Sequence, residues 1–133
     1  MRTRKLAQYV AIPLLLIGLA ALGAAQPRGW ELLGEAHVDG AVDHDRIRVT
    51  GAKGEFRAIR LRVENGPIDF DRVEIHFHNG RVAPVRLRYQ IRSGGSSRVI
   101  DLPGGERIIE NVEFWYRPAR WGTRPKVLLW GRH

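Results

Sequence analysis

The sequence predicts an all-β protein, an antiparallel β-sandwich of about eight short strands that follows an N-terminal signal peptide. Apolar and polar residues alternate in nearly every segment after residue 26, which is the period of a strand with one buried face. Clusters of Gly, Pro, Ser and Asn separate these segments, as turns do between strands. Because no segment after residue 26 shows the 3.6-residue period of a helix, a helical fold is not expected.

The expected strands follow one another at the spacing of a sandwich or barrel. They are Trp30–Val38, Asp45–Thr50, Phe56–Val63, the segment from Val73 to Phe77, Val85–Arg92, Ser97–Leu102, Ile108–Arg117 and Lys126–Arg132. In the third strand Ile59, Leu61 and Val63 lie on the core face, which leaves Arg60 and Arg62 outside. The fifth strand repeats the scheme, with Val85, Leu87, Tyr89 and Ile91 inside and Arg86, Arg88, Gln90 and Arg92 outside.

The connections between strands are predicted from the turn residues and from which face of each strand carries the apolar residues. Asn65-Gly66 predicts a two-residue hairpin that pairs Val63 with Ile68, although Pro67 cannot donate the closing hydrogen bond. After Phe70 the apolar positions change from even to odd numbers. A strand changes face only through an extra residue, so a bulge is expected near residues 71 and 72.

The stretch VEIHFHNG places Val73, Ile75 and Phe77 toward the core, and therefore Glu74, His76 and His78 on the other face. The outward residues have even numbers both on this strand and on the next one, and outward residues must lie opposite outward residues. The loop between the two strands must therefore have an odd number of residues. A five-residue loop would set His76 beside Arg86 and Glu74 beside Arg88. We therefore expect both histidines to be exposed among arginines.

Two sets of residues are candidate metal ligands. His76 and His78 are two apart on one strand, but metal sites of this kind need a third ligand, and none follows in the sequence. The loop between the first two predicted strands contains three carboxylates, those of Asp39, Asp43 and Asp45, as calcium-binding loops do. Asp residues are also common in ordinary turns. We favour the alternative in which neither set holds a metal, and no cofactor is expected.

An anionic ligand is the better candidate for this surface, because guanidinium groups bind carboxylate and phosphate through two parallel hydrogen bonds. Arg60, Arg62, Arg86 and Arg88 are expected to gather on the face that carries the histidines. Trp121 lies in a loop rich in Arg, Pro and Gly, where an exposed indole suits a sugar ring. The alternative for Trp121 is packing in the core or at its rim.

The first 25 residues have the pattern of a secretory signal peptide. Arg2, Arg4 and Lys5 precede an apolar run, and small residues precede a cleavage point before Gln26. Residues 26–133 then form a single domain in the periplasm or outside the cell. The alternative is a retained anchor, although the run is short for a membrane span and Pro13 interrupts it.

The composition excludes several kinds of chemistry. There is no cysteine, which excludes disulfides, thiol catalysis and thiolate metal sites. The 22 basic residues include three in the signal peptide, so 19 basic and 14 acidic residues remain. No nucleophile, zinc-protease or phosphate-loop motif is present, so an enzyme is not expected. Nucleic acid is an improbable partner for an exported domain.

Five segments carry a resemblance that spans nearly all of the mature chain. They are ELLGEAHVD, DHDRIRVTG, GEFRAIRLRVENG, GGSSRVIDLPGGERIIENVEFWYR and KVLLWGR. In these segments the chain resembles the small exported bacterial β-sandwich proteins of unknown function, the YaaI-like proteins of DUF2541 type. The resemblance implies an exported β-sandwich and supplies no catalytic residues.

These observations predict a non-enzymatic binding or structural module at the cell envelope. The first alternative is a module that binds carbohydrate or an anionic glycan through Trp121 and the outer arginines. The second is a small metal-binding protein that uses His76 and His78 or the aspartates of residues 39–45. After cleavage no stable insertion in the membrane is expected.

Overall fold

The computed structural model describes residues 29–38, 43–118, 120 and 122–133. The predicted signal peptide, Asp39 and Trp121 lie outside the described residues. The architecture is the predicted antiparallel β-sandwich. It has ten strands in the described residues rather than about eight, because two of the expected strands are each divided in two. No helix within these residues is long and apolar enough to cross a membrane.

The strands and the single short helical turn of the described residues follow one another in this order. They are β1 Trp30–His37, β2 His44–Arg48, a 3-10 turn Gly51–Lys53, β3 Glu55–Phe56, β4 Ala58–Glu64, β5 Ile68–Phe77, β6 Val82–Val85, β7 Gln90–Ile91, β8 Ile100–Asp101, β9 Arg107–Pro118 and β10 Lys126–Arg132. The break at Arg57 separates β3 from β4, and the expected strand Val85–Arg92 is reduced to the end of β6 and the two residues of β7.

Two sheets form the sandwich, and every strand pairing within them is antiparallel. The six-stranded sheet has the order β2-β9-β5-β6, with β3 added to β9 and β7 added to β5. The four-stranded sheet has the order β1-β10-β4-β8. The long strand β9 therefore lies between β2 and β5, which matters for the site described below.

The core is filled by the alternate residues that the sequence directs inward. Leu61 and Val63 of β4 are fully buried, as are Val73 and Ile75 of β5, so the predicted faces of both strands are confirmed. The inner residues of β9 join the same cluster. Burial of these side chains is the main favourable contribution to folding, at roughly 1.5–3 kcal/mol for each large aliphatic or aromatic group.

The bulge expected near residues 71 and 72 is confirmed. Arg72 lies opposite Trp115 on β9, while Phe70 lies opposite Tyr116, so Asp71 is the extra residue. This insertion turns both Phe70 and Val73 toward the core, although one has an even number and the other an odd one.

The predicted hairpin at Asn65-Gly66 is wrong. Val63 pairs with Val127 of β10, and β5 belongs to the other sheet, so the turn carries the chain from one sheet to the other. Asn65 and Gly66 both have positive φ values, of 65° and 138°, as a hairpin turn of this kind requires. The two turn residues thus have the predicted backbone conformation, but the strands that they join belong to different sheets. Pro67, which cannot donate the closing hydrogen bond of a hairpin, is the signal against pairing.

The loop after Phe77 has an odd number of residues, as expected, but it has three residues rather than five. The Phe77 N–H donates to the Arg81 carbonyl at 2.8 Å, and Gly80 takes the positive φ that closes such a loop. His76 consequently lies opposite Val82 and Glu74 opposite Pro84, not opposite Arg86 and Arg88. The prediction that Arg86 lies beside His76 and Arg88 beside Glu74 is wrong for this reason.

The outer face of the four-stranded sheet carries a second, smaller apolar cluster. Trp30, Ala58, Leu128 and Trp130 are buried there, with Leu32 packed against them. The guanidinium groups of Arg60 and Arg132 lie over the Trp30 ring, at 4.8 and 5.0 Å from its centroid. A guanidinium group over an indole ring is attracted to the electron-rich face of the ring, so these two arginines interact favourably with the cluster that they cover.

His133 gives the fold a pH dependence that can be measured. Its Nδ1 lies 2.7 Å from the Glu55 carbonyl oxygen and its Nε2 lies 2.9 Å from Glu31 Oε1, so both ring nitrogens face acceptors. Only the imidazolium can donate from both nitrogens. The hydrogen bonds to Glu31 and to the Glu55 carbonyl therefore raise the pKa of His133. The hydrogen bond from His133 likewise lowers the pKa of Glu31 against the opposing effect of burial.

We expect the stabilising effect of His133 to decrease between about pH 6 and about pH 9. A raised folded-state pKa means that the contribution is complete below the pKa of the unfolded histidine and is lost as pH rises through the folded value. Urea unfolding of the wild type and of His133→Gln at both pH values gives the difference. The pair is exposed, so the effect is small. A difference that stayed constant or grew with pH would contradict this account.

Candidate functional site

The outer face of the six-stranded sheet carries a compact polar surface where β2, β9 and β5 lie side by side. Each outward residue of β9 in this region has one neighbour on β2 and one on β5. The three rows across the strands are Arg48, Asn111 and His76; then Arg46, Glu113 and Glu74; then His44, Trp115 and Arg72. We call these nine residues the outer polar face.

Glu113 is at the centre of the outer polar face, and its side chain is only 10% exposed. His44 and Arg46 both approach its Oε2, with the Arg46 Nη2 at 3.4 Å. The Oε1 instead lies 3.1 Å from His76 Nε2. Burial opposes ionisation, but the hydrogen bonds from His44 and Arg46 outweigh it, so the pKa of Glu113 is lowered.

The two carboxylate oxygens of Glu74 likewise face different partners, one a basic side chain and the other His76. Its Oε2 lies 3.5 Å from Arg72 Nε, and its Oε1 lies 3.5 Å from His76 Nε2. One potential ligand atom from each of Glu74, His76 and Glu113 falls within 4.8 Å of the other two. We call these three residues the carboxylate–histidine cluster. A shallow groove lined by Gly34, Glu35 and His44–Arg48 lies over the neighbouring strand β2.

Trp115 is the middle one of three consecutive aromatic residues on β9. Phe114 and Tyr116 are buried in the core, and Trp115 faces outward. The ring of His44 is stacked on Trp115 with 4.9 Å between centroids, and the Arg72 guanidinium lies 3.8 Å from the indole centroid. Because β2 and β5 flank β9, these groups approach the indole from opposite sides and form a second layer over it. That leaves little of the ring for stacking on a sugar.

The two histidines of VEIHFHNG have different surroundings. His78 is exposed in the loop after β5, whereas the His76 side chain is 25% exposed and lies against carboxylates. The expectation that both are exposed is therefore right for His78 and wrong for His76. A carboxylate that the local sequence lacks is brought next to His76 by Glu113, which is 37 positions further along the chain and adjacent through sheet register.

The four candidate arginines do not gather on one face. Arg60 and Arg62 lie on the outer side of the four-stranded sheet, where Arg60 covers Trp30 and the Arg62 Nε donates to Glu64 at 3.1 Å. Arg86 and Arg88 belong to the segment that follows β6 in the six-stranded sheet. The prediction of a shared face is wrong because it assumed that Asn65-Gly66 joined neighbouring strands of one sheet.

Arg86 and Arg88 instead belong to a different basic surface, formed by residues 85–99, which we call the arginine segment. It contains four arginines and no Asp or Glu, and all four arginines are exposed: Arg86, Arg88, Arg92 and Arg98. None of the four forms an ion pair with a carboxylate among the described residues. Tyr89, which the alternation placed inside, is 42% exposed beside them, so that expectation is wrong.

The backbone of the arginine segment is fixed to both sheets. Its Tyr89 carbonyl accepts from Phe70 N–H on β5, and the Ser97 N–H donates to the Leu61 carbonyl on β4 at 2.7 Å. Leu87 is fully buried and anchors the centre of the segment in the core. Within the segment the Arg98 Nη2 donates to the Arg86 carbonyl at 2.9 Å. The arginines therefore project from a backbone that is held in place.

The aspartate connection is only partly described. Asp43 is exposed, and Asp45 lies within β2, where its Oδ1 accepts from the neighbouring Arg46 N–H at 2.7 Å. Neither of these two residues belongs to the group of side chains, among the described residues, that could hold a metal ion. Asp39 lies outside that part, as does Trp121.

Comparison with known proteins gives a family and a fold. The family described as "Domain of unknown function (DUF2541)" matches residues 10–131, and the chain belongs to that family. No curated protein matches. A solved structure of AlgX from Pseudomonas aeruginosa is similar with a TM-score of 0.52 and 11% identity. That match covers 96% of this chain and 33% of the AlgX chain, and at this identity it shows a shared fold alone.

Proposed function

We propose that this member of the DUF2541 family is an exported, non-enzymatic module that binds an anionic glycan of the cell envelope on its arginine segment. The observation that carries the proposal is the set of four exposed arginines without carboxylate partners, beside the exposed Tyr89. Arginines elsewhere on the surface that do have partners, such as Arg57 with Glu106 and Arg117 with Asp71, are already neutralised.

The chemistry of the segment favours a polymer with repeated negative charges. Each guanidinium can form two parallel hydrogen bonds with a carboxylate, sulfate or phosphate group. Exposed single contacts are worth about 0.2–1 kcal/mol each, so useful affinity requires several along one ligand. Arg86, Arg88 and Arg92 alternate with other residues on a fixed backbone, which suits a chain of charged sugars.

Tyr89 favours a glycan over other anionic polymers. Its ring is a flat apolar surface among charged groups, and aromatic rings of this kind can pack against the apolar face of a sugar. The proposed location supports the same choice, since residues 1–25 have the pattern of a signal for export and nucleic acid is not an envelope component.

Binding to polygalacturonate, which carries one carboxylate on each sugar, tests the proposal. We expect saturable binding by titration calorimetry at low salt, and weakening as salt screens the charges. The double variant Arg88→Gln/Arg92→Gln should bind about tenfold more weakly, the sum of two exposed charge contacts. The matched control is Arg57→Gln/Arg117→Gln, which removes the same net charge from ion-paired sites and should change affinity by less than about twofold.

Three outcomes would contradict the proposal. Equal losses in the two double variants would show that only net charge matters and that the arginine segment has no special role. Equal binding of neutral dextran and of polygalacturonate would show recognition of sugar without the anion. An absence of saturable binding to polygalacturonate would remove the carboxylated glycan as a ligand.

A further inference from the structure

We propose that the carboxylate–histidine cluster is a binding site for a divalent first-row transition metal ion of the zinc class. This site is separate from the arginine segment and does not depend on the function proposed for it. Its ligands would be Oε1 of Glu74, Nε2 of His76 and Oε1 of Glu113, with water in the remaining positions. An imidazole with two carboxylates is a ligand set that suits zinc and its neighbours.

The orientation of the two carboxylates is the first observation. The Oε2 of Glu113 is held by His44 and Arg46, and the Oε2 of Glu74 is next to Arg72. Both Oε1 atoms are directed toward the same nitrogen, His76 Nε2. Partners that hold the outer oxygen of a ligating carboxylate and leave the inner oxygen for the ion are the usual arrangement around metal sites.

The distances between the ligand atoms are the second observation. The His76 Nε2 lies 3.1 Å from Glu113 Oε1 and 3.5 Å from Glu74 Oε1. Zinc bonds of about 2.0–2.1 Å in a tetrahedral arrangement set neighbouring ligand atoms about 3.3 Å apart. The two separations lie on either side of that value, and the two carboxylate oxygens lie within 4.8 Å of each other, so side-chain rotations that close this third separation would let one ion contact all three atoms.

An unsatisfied nitrogen is the third observation. The His76 Nε2 is buried and forms no hydrogen bond, although a carboxylate oxygen of Glu113 lies 3.1 Å away and one of Glu74 lies 3.5 Å away. Its cross-strand neighbour Asn111, also more than nine-tenths buried, has an unpartnered Oδ1 on the same face of the sheet. Buried polar atoms are rarely left without partners in native proteins, and an ion with its water shell satisfies such atoms.

The alternative is a protonated His76 that forms ion pairs with both carboxylates and binds no metal. The two arrangements differ in a measurable way, since only the first predicts saturable binding of one ion per chain. The nearby Arg46 and Arg72 weaken attraction for a cation, so we expect a site that a chelator empties readily.

Titration of chelator-treated protein with Zn²⁺, followed by calorimetry, tests the proposal. We expect one ion per chain, and visible absorption bands of a low-symmetry site when Co²⁺ is used instead. His76→Gln and Glu74→Gln should each weaken binding by about 100-fold or more. His44→Gln, which removes only a partner of Glu113, should weaken it by about tenfold. The matched control is His78→Gln, a histidine two residues away, which should change affinity by less than about twofold.

Several results would overturn the proposal: no saturable binding of Zn²⁺, unchanged affinity in His76→Gln, or an equal loss in His78→Gln. Circular dichroism and thermal unfolding of each variant without metal check that the fold is intact. If His76→Gln fails to fold, Glu74→Gln decides the question, because the Glu74 side chain is partly exposed and its replacement keeps the same shape. Binding of polygalacturonate should be unaffected in both variants, which separates this test from the test of the arginine segment.

Discussion

Replacement of Phe114 by alanine is expected to lower the free energy of unfolding by about 3–5 kcal/mol. Phe114 is fully buried on β9, the strand that pairs with both β2 and β5. Its ring lies 6.0 Å from the Phe70 ring in an edge-to-face arrangement and 5.6 Å from the Tyr116 ring. Truncation removes buried apolar area and these ring contacts. It also leaves a cavity between the two sheets, which the surrounding side chains can fill only partly.

Urea unfolding monitored by circular dichroism gives the value for Phe114→Ala. The control is Val82→Ala on β6, since Val82 is 48% exposed and its truncation should change stability by less than about 0.5 kcal/mol. A cost below about 1 kcal/mol for Phe114→Ala would show that the space between the sheets refills easily. In that case the inward and outward faces of β9, on which the position of Glu113 depends, would need to be assigned again.

The alternation of residues predicted most of the sandwich. It assigned the buried and exposed faces of β4 and β5 correctly, and the change of parity after Phe70 located the bulge at Asp71. These features are local, because a strand with one buried face must alternate and an extra residue must shift the alternation. Local patterns of this kind can be interpreted from one sequence.

The choice of partner strands could not be predicted in the same way. The residues Asn65-Gly66 have the backbone conformation of a tight turn, yet they connect strands of different sheets. Turn residues specify local dihedral angles and do not specify which strand completes the ladder. Because the prediction gave this turn the wrong partner strand, it placed Arg60 and Arg62 in the same sheet as His76. The anion site predicted from that placement was therefore wrong as well.

The carboxylate–histidine cluster illustrates the same limit. Glu74 and His76 are two residues apart and could be recognised together, but Glu113 comes from a distant strand. The available signal was the outward position of Glu113 between the inward Val112 and Phe114. That pattern shows that a carboxylate faces away from the core, but only the register of β9 on β5 shows which histidine it meets.

The fifth predicted strand, Val85–Arg92, is not continuous in the structure, and the reason is a lack of pairing. Residues 85–92 alternate well, but their pairing on β5 ends at Val85 and resumes only at Gln90. Between these points Leu87 alone is buried, and Tyr89 is exposed. Alternation requires a partner strand to become a ladder, and residues 86–89 have no register partners on β5.

The other large effect is expected at Gly131, the last residue but one of β10, where that strand lies between β1 and β4. A methyl group there would lie 2.7 Å from Leu33 Cδ1 and 2.8 Å from Phe56 Cδ1, and both of these side chains are buried. Glycine within a strand marks such a close approach, and loss of its flexibility would otherwise favour alanine by about 0.4–1 kcal/mol.

We therefore expect Gly131→Ala to lower the free energy of unfolding by about 1–3 kcal/mol, since overpacking outweighs the gain in chain entropy. The matched control is Gly51→Ala in the 3-10 turn, where no atom lies within 4 Å and φ is not positive, so stability should be unchanged or slightly higher. The double variant Leu33→Ala/Gly131→Ala should lose less than the sum of its single variants, because the smaller side chain removes one of the two contacts. Strict additivity in urea unfolding, or a stabilised Gly131→Ala, would show that Leu33 and Phe56 can move aside and that the glycine is not required for packing.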